Sequence, residues 1–195
     1  MTTREEAFQI VTKYVKNNGL INHMLSVEAA MRFYAEKLNA DPEKWGVAGL
    51  LHDFDWEIHP SLEEHPSAGA PILRELNVPE DIVHAILSHG EGVERITPME
   101  LCLAACDELT GLITAVSLVR PSRSLYDLTA SSVKKKWKDR AFAAAINREE
   151  IAANTQAFGV ELWQHVDNVI LAMRKIASQL DLEGSLLPDG SPSEK

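Results

Sequence analysis

Apolar residues recur at steps of three and four along almost the whole chain, the spacing that turns one helix face toward a core. No stretch sustains the apolar/polar alternation of a half-buried strand. The pattern predicts helices over 3–17, 21–38, 42–53, 66–76, 79–89, 98–118, 129–145, 148–157 and 160–181, and so an all-α fold, a compact multi-helix bundle. Punctuation marks the boundaries. Gly19 closes the first helix, Pro42 and Pro79 take first-turn positions, and Thr97-Pro98-Met99-Glu100 has the Thr/Glu spacing of a capping box. In the last helix Leu162, Val166, Val169, Met173, Ile176 and Leu180 draw a narrow apolar seam. It packs on the chain's own core, or alternatively in a homodimer contact.

With 195 residues, 45% hydrophobic and 25% charged, the chain can bury one sizeable core, which excludes disordered and collagen-like classes. The reading is one domain over 1–182, with its chemistry in a core of about 20–115 and C-terminal helices over 125–181. Residues 183–195, rich in Gly, Ser and Pro, are expected to form a disordered tail. The formal net charge of −10 repels nucleic acid and anionic membranes, so neither a nucleic-acid polymer nor a membrane is an expected partner. Arg4, Glu5 and Glu6 open the chain and no long apolar run follows them, so neither a secretory signal nor a membrane span is expected and the location is read as cytoplasmic. Cys102 and Cys106 are read as small core residues rather than a redox pair.

The uncharged run Trp45-Gly46-Val47-Ala48-Gly49-Leu50-Leu51 leads directly into His52-Asp53, so an imidazole and a carboxylate stand at the end of a buried helix. A buried carboxylate must be neutralised, paired or bound to a cation. Asp107 poses the same problem beside Leu103, Ala104 and Gly111. His23 opens the second helix just before Val27, Ala30, Met31 and Tyr34. A single histidine on such a face is by itself an ordinary core residue.

Taken in order, His23, His52-Asp53 and Asp107 resemble the H…HD…D pattern of the HD superfamily of metal-dependent phosphohydrolases. The run His65-Pro66-Ser67-Ala68-Gly69-Ala70-Pro71-Ile72-Leu73 is similar to the H-P-x-x-G-x-x-I-L stretch of the branch with extra histidines, and His89 precedes Gly90, read as a helix C-cap. Proline at 66 biases His65 away from helical backbone and toward a helix N-terminus. The resemblance implies His23, His52, Asp53, His65, His89 and Asp107 as ligands of one or two divalent ions, Asp53 bridging if there are two. The alternative is one ion, with His65 and His89 on substrate phosphate.

Imidazole and carboxylate ligands suit Mn, Fe, Co or Ni. The resemblance implies hydrolysis of a phosphate mono- or diester in a small phosphorylated metabolite or nucleotide by metal-activated hydroxide. Asp55 is a second candidate catalytic carboxylate beside Asp53, able to orient water or relay a proton, or else a supporting residue. The common HDIG form has Ile-Gly where this chain has Phe54-Asp55. Arg120 and Arg123 begin the one basic stretch, which continues at Lys134-Lys135-Lys136-Trp137-Lys138, and could fork onto phosphate oxygens or simply be solvated. His59, His84 and His165 are read as surface or core histidines.

Two rival readings stay open. A few HD-superfamily members with the same extra histidines are mixed-valent diiron oxygenases; the phosphonate-oxidising ones carry a Tyr-x-x-Glu before the first histidine, where this chain has Tyr14 followed by Asn17. The other rival is a non-catalytic regulatory HD module.

Overall fold

A computed structural model describes residues 2–90 and 92–193. Among them the secondary structure is α-helical: α1 (Arg4–Tyr14), α2 (Asn18–Lys37), α3 (Pro42–Leu51), α4 (Ala70–Glu75), α5 (Glu80–His89), α6 (Pro98–Leu118), α7 (Ala130–Trp137), α8 (Arg148–Ala157) and α9 (Leu162–Arg174). The all-α expectation holds, and the only strand-like pairing among the described residues is an isolated bridge between Leu186 and Pro192. The chain divides into two compact units, one ending at Ala104 and one starting at Ala105.

In the first unit α3 is the central element and packs against α1, α2 and α5, while α4 packs against α5. Its uncharged sequence explains the position, since every residue from Trp45 to Leu51 is buried. Asp41 caps α3 with its side chain, accepting from the amides of Glu43 and Lys44, and Pro42 follows at the first turn. Gly19 does not end a helix as expected. Asn17 takes over the boundary, accepting from the amides of Gly19 and Leu20 to start α2 three residues early. α4 is shorter than the 66–76 predicted, because residues 62–69 form turns.

The predicted capping box at the start of α6 is present. Glu100 accepts from the Thr97 amide at 2.9 Å, and its own amide donates to Thr97 Oγ1 at 3.3 Å. α6 is long and apolar enough to cross a membrane, contrary to the expectation of no such segment, but 61% of that window is buried within the protein, as in a core helix.

In the second unit α9 packs against α7 and α8, and Val166, Val169 and Met173 of the predicted seam are buried within the chain itself. α7 stops at Trp137, eight residues short of its predicted end. Arg148 accounts for this, because its guanidinium donates to the carbonyls of Asp139, Phe142, Ala143 and Ile146 and so organises the segment as turns. The final helix also closes early, at Arg174, with i to i−3 hydrogen bonds in Lys175, Ile176 and Ala177. Of the segment predicted as a tail, residues 183–193 carry turns, with the Ser185 amide bonded to the Ser122 carbonyl at 2.9 Å. Residues 194–195 lie outside the described residues.

Candidate metal centre

α3 ends at Leu51 and His52 keeps helical backbone angles as its C-cap, so its ring continues the line of a buried helix and is itself fully buried. Its Nδ1 donates to the carbonyl of Gly49 at 2.8 Å, satisfying one of the carbonyls a helix end leaves open. His89 repeats the device at the last residue of α5, its Nδ1 donating to the carbonyl of Ile86. In both rings the bond at Nδ1 leaves Nε2 as the atom presented to neighbours.

His65 reaches the same place from a turn. Its Nδ1 donates to Asp55 Oδ1 at 2.7 Å, and the edge of Trp56 packs against its ring with centroids 5.0 Å apart. His65 is not at a helix N-terminus as predicted, since α4 begins only at Ala70. The segment after the His52-Asp53 pair is tied to the start of α2 by Glu57, whose carboxylate accepts from the amides of Lys16 and Asn17 at 2.7 to 3.1 Å. The tie therefore joins that segment to the end of α2 that carries His23.

All four rings meet at the carboxylate of Asp53. Oδ2 is faced by Nε2 of His23 at 3.4 Å and of His52 at 3.3 Å, and Oδ1 by Nε2 of His65 at 3.1 Å and of His89 at 3.6 Å. Within each pair the nitrogens are close, 3.1 Å between His23 and His52 and 2.9 Å between His65 and His89. Two nitrogens each about 2.1 Å from one ion and at right angles around it stand about 3 Å apart, so these spacings suit shared coordination. Ligand atoms of Asp53, His65 and His89 lie within 4.8 Å of one another, a group able to hold a metal ion. The donor set, imidazole nitrogen and carboxylate oxygen, fits first-row divalent ions.

The rings and carboxylates of the site shift one another's ionisation. Burial opposes ionisation of Asp53, but the charge of His52 and hydrogen bonds from His23, His52 and His65 outweigh it and hold the carboxyl well below the usual range. Burial likewise opposes charging of His65. Hydrogen bonds to Asp53 and Asp55 win, and its pKa is pushed up to about 9.

Asp107 lies on α6 within the second unit, half-buried. Asp55 is fully buried. Arg120 is engaged by its own unit, its guanidinium bonded to Asp127 and to Ser132 Oγ, while Arg123 is exposed in a left-handed turn with φ of 50°. His84 pairs with Glu100 at 2.9 Å, His165 bonds the Ala105 carbonyl, and Cys102 and Cys106 are both buried. Gly90 does end α5 but in extended rather than left-handed backbone, with φ of −74°. Its lack of a side chain serves space instead, because a Cβ there would meet Cδ of Pro66 at 2.5 Å. That crossing and the Trp56 contact escaped the sequence reading, having no signature in spacing or periodicity.

The family model for the HD domain matches residues 20–112. Curated relatives include proteins called Ribonuclease Y. The one from Thermotoga petrophila is 30% identical over 142 residues, 71% of this chain and 28% of the relative. That from Nitratidesulfovibrio vulgaris is 31% identical over 96 residues, 49% of this chain and 18% of the relative. The one from Lawsonia intracellularis is 32% identical over 126 residues, 64% of this chain and 22% of the relative. The chain thus spans less than a third of the length of these relatives. No solved structure matches. The expectation of a small phosphorylated substrate with nucleic-acid polymers excluded is corrected by these relatives, which are named for acting on RNA. A net charge of −10 sums the whole surface and leaves out bound cations, so it does not decide what one site accepts.

Proposed function

Residues 20–112 of this chain belong to the HD domain family, and on that premise we propose that the protein is a metal-dependent phosphohydrolase that cleaves phosphodiester bonds in RNA. The observation that carries the reading is the convergence of His23, His52, His65 and His89 on the single carboxylate of Asp53. The choice of RNA over a small ester rests on the name shared by the relatives.

His65, His89 and Asp53 Oδ1 would hold one ion, and His23, His52 and Asp53 Oδ2 a second. Asp107, the last acid of the H…HD…D pattern, is assigned to the second set on that pattern. Bound divalent ions lower the pKa of water toward about 7 and neutralise charge on phosphoryl oxygens. The chain's own part is to aim Nε2 atoms at the ions, because the Nδ1 bonds of His52 and His89 to the carbonyls of Gly49 and Ile86 select the tautomer whose neutral ring offers its Nε2 lone pair. Asp53 stays ionised between the two pairs.

The test is cleavage of a single-stranded RNA oligonucleotide by the full chain, with Mn²⁺ or Co²⁺ added and with EDTA as control. Metal-dependent cleavage that falls more than about 100-fold in Asp53→Ala is expected, a loss beyond that of outer-layer partners. Intact RNA in the presence of metal-loaded protein would sink the assignment.

A further inference from the structure

Asp55 is a buried carboxylate with an unusual distribution of partners. Its Oδ1 accepts from His65 Nδ1 at 2.7 Å, while Oδ2 is buried and has no hydrogen-bond partner. It has no exposed surface, so it cannot meet a substrate or a bulk water molecule directly. Opposite Oδ2 lies Gly69. A Cβ built on Gly69 would overlap Oδ2, Cγ and Cβ of Asp55, although the backbone at Gly69 is ordinary right-handed helix, φ of −75° and ψ of −30°. The glycine therefore answers a need for space, and the space is filled by this carboxylate.

We propose that Asp55 is a positioning residue: it fixes the ring of His65 through Nδ1 so that Nε2 faces Asp53 and His89, and Gly69 is required because it leaves room for the Asp55 carboxylate. The inference rests on the metal-dependent reading above. The Nδ1 atoms of His52 and His89 are anchored on helix-end carbonyls three residues back, whereas that of His65, which sits in a turn, is anchored on the Asp55 carboxylate, so without Asp55 this ring loses that anchor. An acceptor carboxylate also raises the basicity of a ligating imidazole, and partners of this kind alter metal affinity about 10- to 100-fold.

The test titrates the metal-free full chain with Co²⁺, read by equilibrium dialysis and by the visible bands of bound cobalt. The variants are Asp55→Asn, Asp55→Ala, Gly69→Ala and the double Asp55→Ala/Gly69→Ala. Asp55→Asn, which keeps an acceptor oxygen, should weaken one cobalt by about tenfold and Asp55→Ala by up to about 100-fold, with altered bands for that ion. The second cobalt should stay within about twofold, which also reports an intact fold. Gly69→Ala should reproduce the Asp55→Ala loss with Asp55 still present, and the double variant should be no worse than Asp55→Ala alone, since both act through one contact. Additive losses, or variants that bind both ions as the parent does, overturn the proposal and leave the hydrolase reading standing. Equal weakening of both ions overturns it as well. A parent protein that takes up no cobalt sinks both.

Discussion

The Nε2 atoms of His65 and His89 stand 2.9 Å apart, one offered by a turn and the other by the last residue of a helix. Their backbones are brought together next door, where Gly90 passes over the ring of Pro66 with no room for a Cβ. Gly90→Ala is therefore expected to push the two histidines apart. Overpacking of this kind costs about 1–3 kcal/mol. A lower melting temperature together with weaker Co²⁺ uptake is the expected result; a variant that matches the parent in both would remove the crossing from the account.

Metal binding should expel a proton. In the metal-free protein hydrogen bonds to Asp53 and Asp55 overcome burial and raise His65 to about 9, above its unfolded value of about 6.5. The pairing is fully present below pH 6.5 and is lost as pH rises through 9, on the order of 3 kcal/mol of stability. A ligating imidazole must give up the proton, so loading at neutral pH should release about one proton at this residue. Calorimetry in buffers of different ionisation enthalpy measures the release, and urea unfolding in EDTA across that pH range measures the slope. Loading without proton release would contradict the protonation state assigned to His65.

His165 predicts the opposite dependence in the second unit. Burial drives its pKa down to about 4, only partly offset by its hydrogen bond to the Ala105 carbonyl at 2.9 Å. The unfolded chain takes up a proton near pH 6.5 while the folded one resists. Stability is thus complete above about 6.5 and declines as pH falls toward 4, again on the order of 3 kcal/mol. His165→Gln, read by denaturant midpoints at pH 7 and pH 5, should flatten that decline. An unchanged difference between the two pH values would assign the acid sensitivity elsewhere.

Arg148 is buried and bonds four carbonyls of the 139–146 segment. Hydrogen bonds from a charged donor contribute about 1.5–3 kcal/mol each, with strong overlap in a shared network. Arg148→Ala should lower stability by about 3 kcal/mol, measured by urea unfolding. Arg148→Lys should recover little, because a single ammonium cannot span the fork. Recovery to the parent value by lysine would show that charge alone suffices.

The helical pattern of the chain determined the fold class, because burying one face of a helix imposes a local period of three to four residues. The same locality made the capping box at Thr97 and Glu100 and the buried run from Trp45 to Leu51 readable, together with the histidines and acids that resemble an HD site. Where α7 stops depended on a group outside it, for Arg148 at the start of α8 organises the segment that follows as turns. The tertiary structure alone decided that four rings face one carboxylate, that Asp55 serves His65, and that Gly69 and Gly90 are needed for space. A direction in space and an empty volume arise only when separate segments pack. Neither has a period along the chain, so no spacing of residues could have announced them.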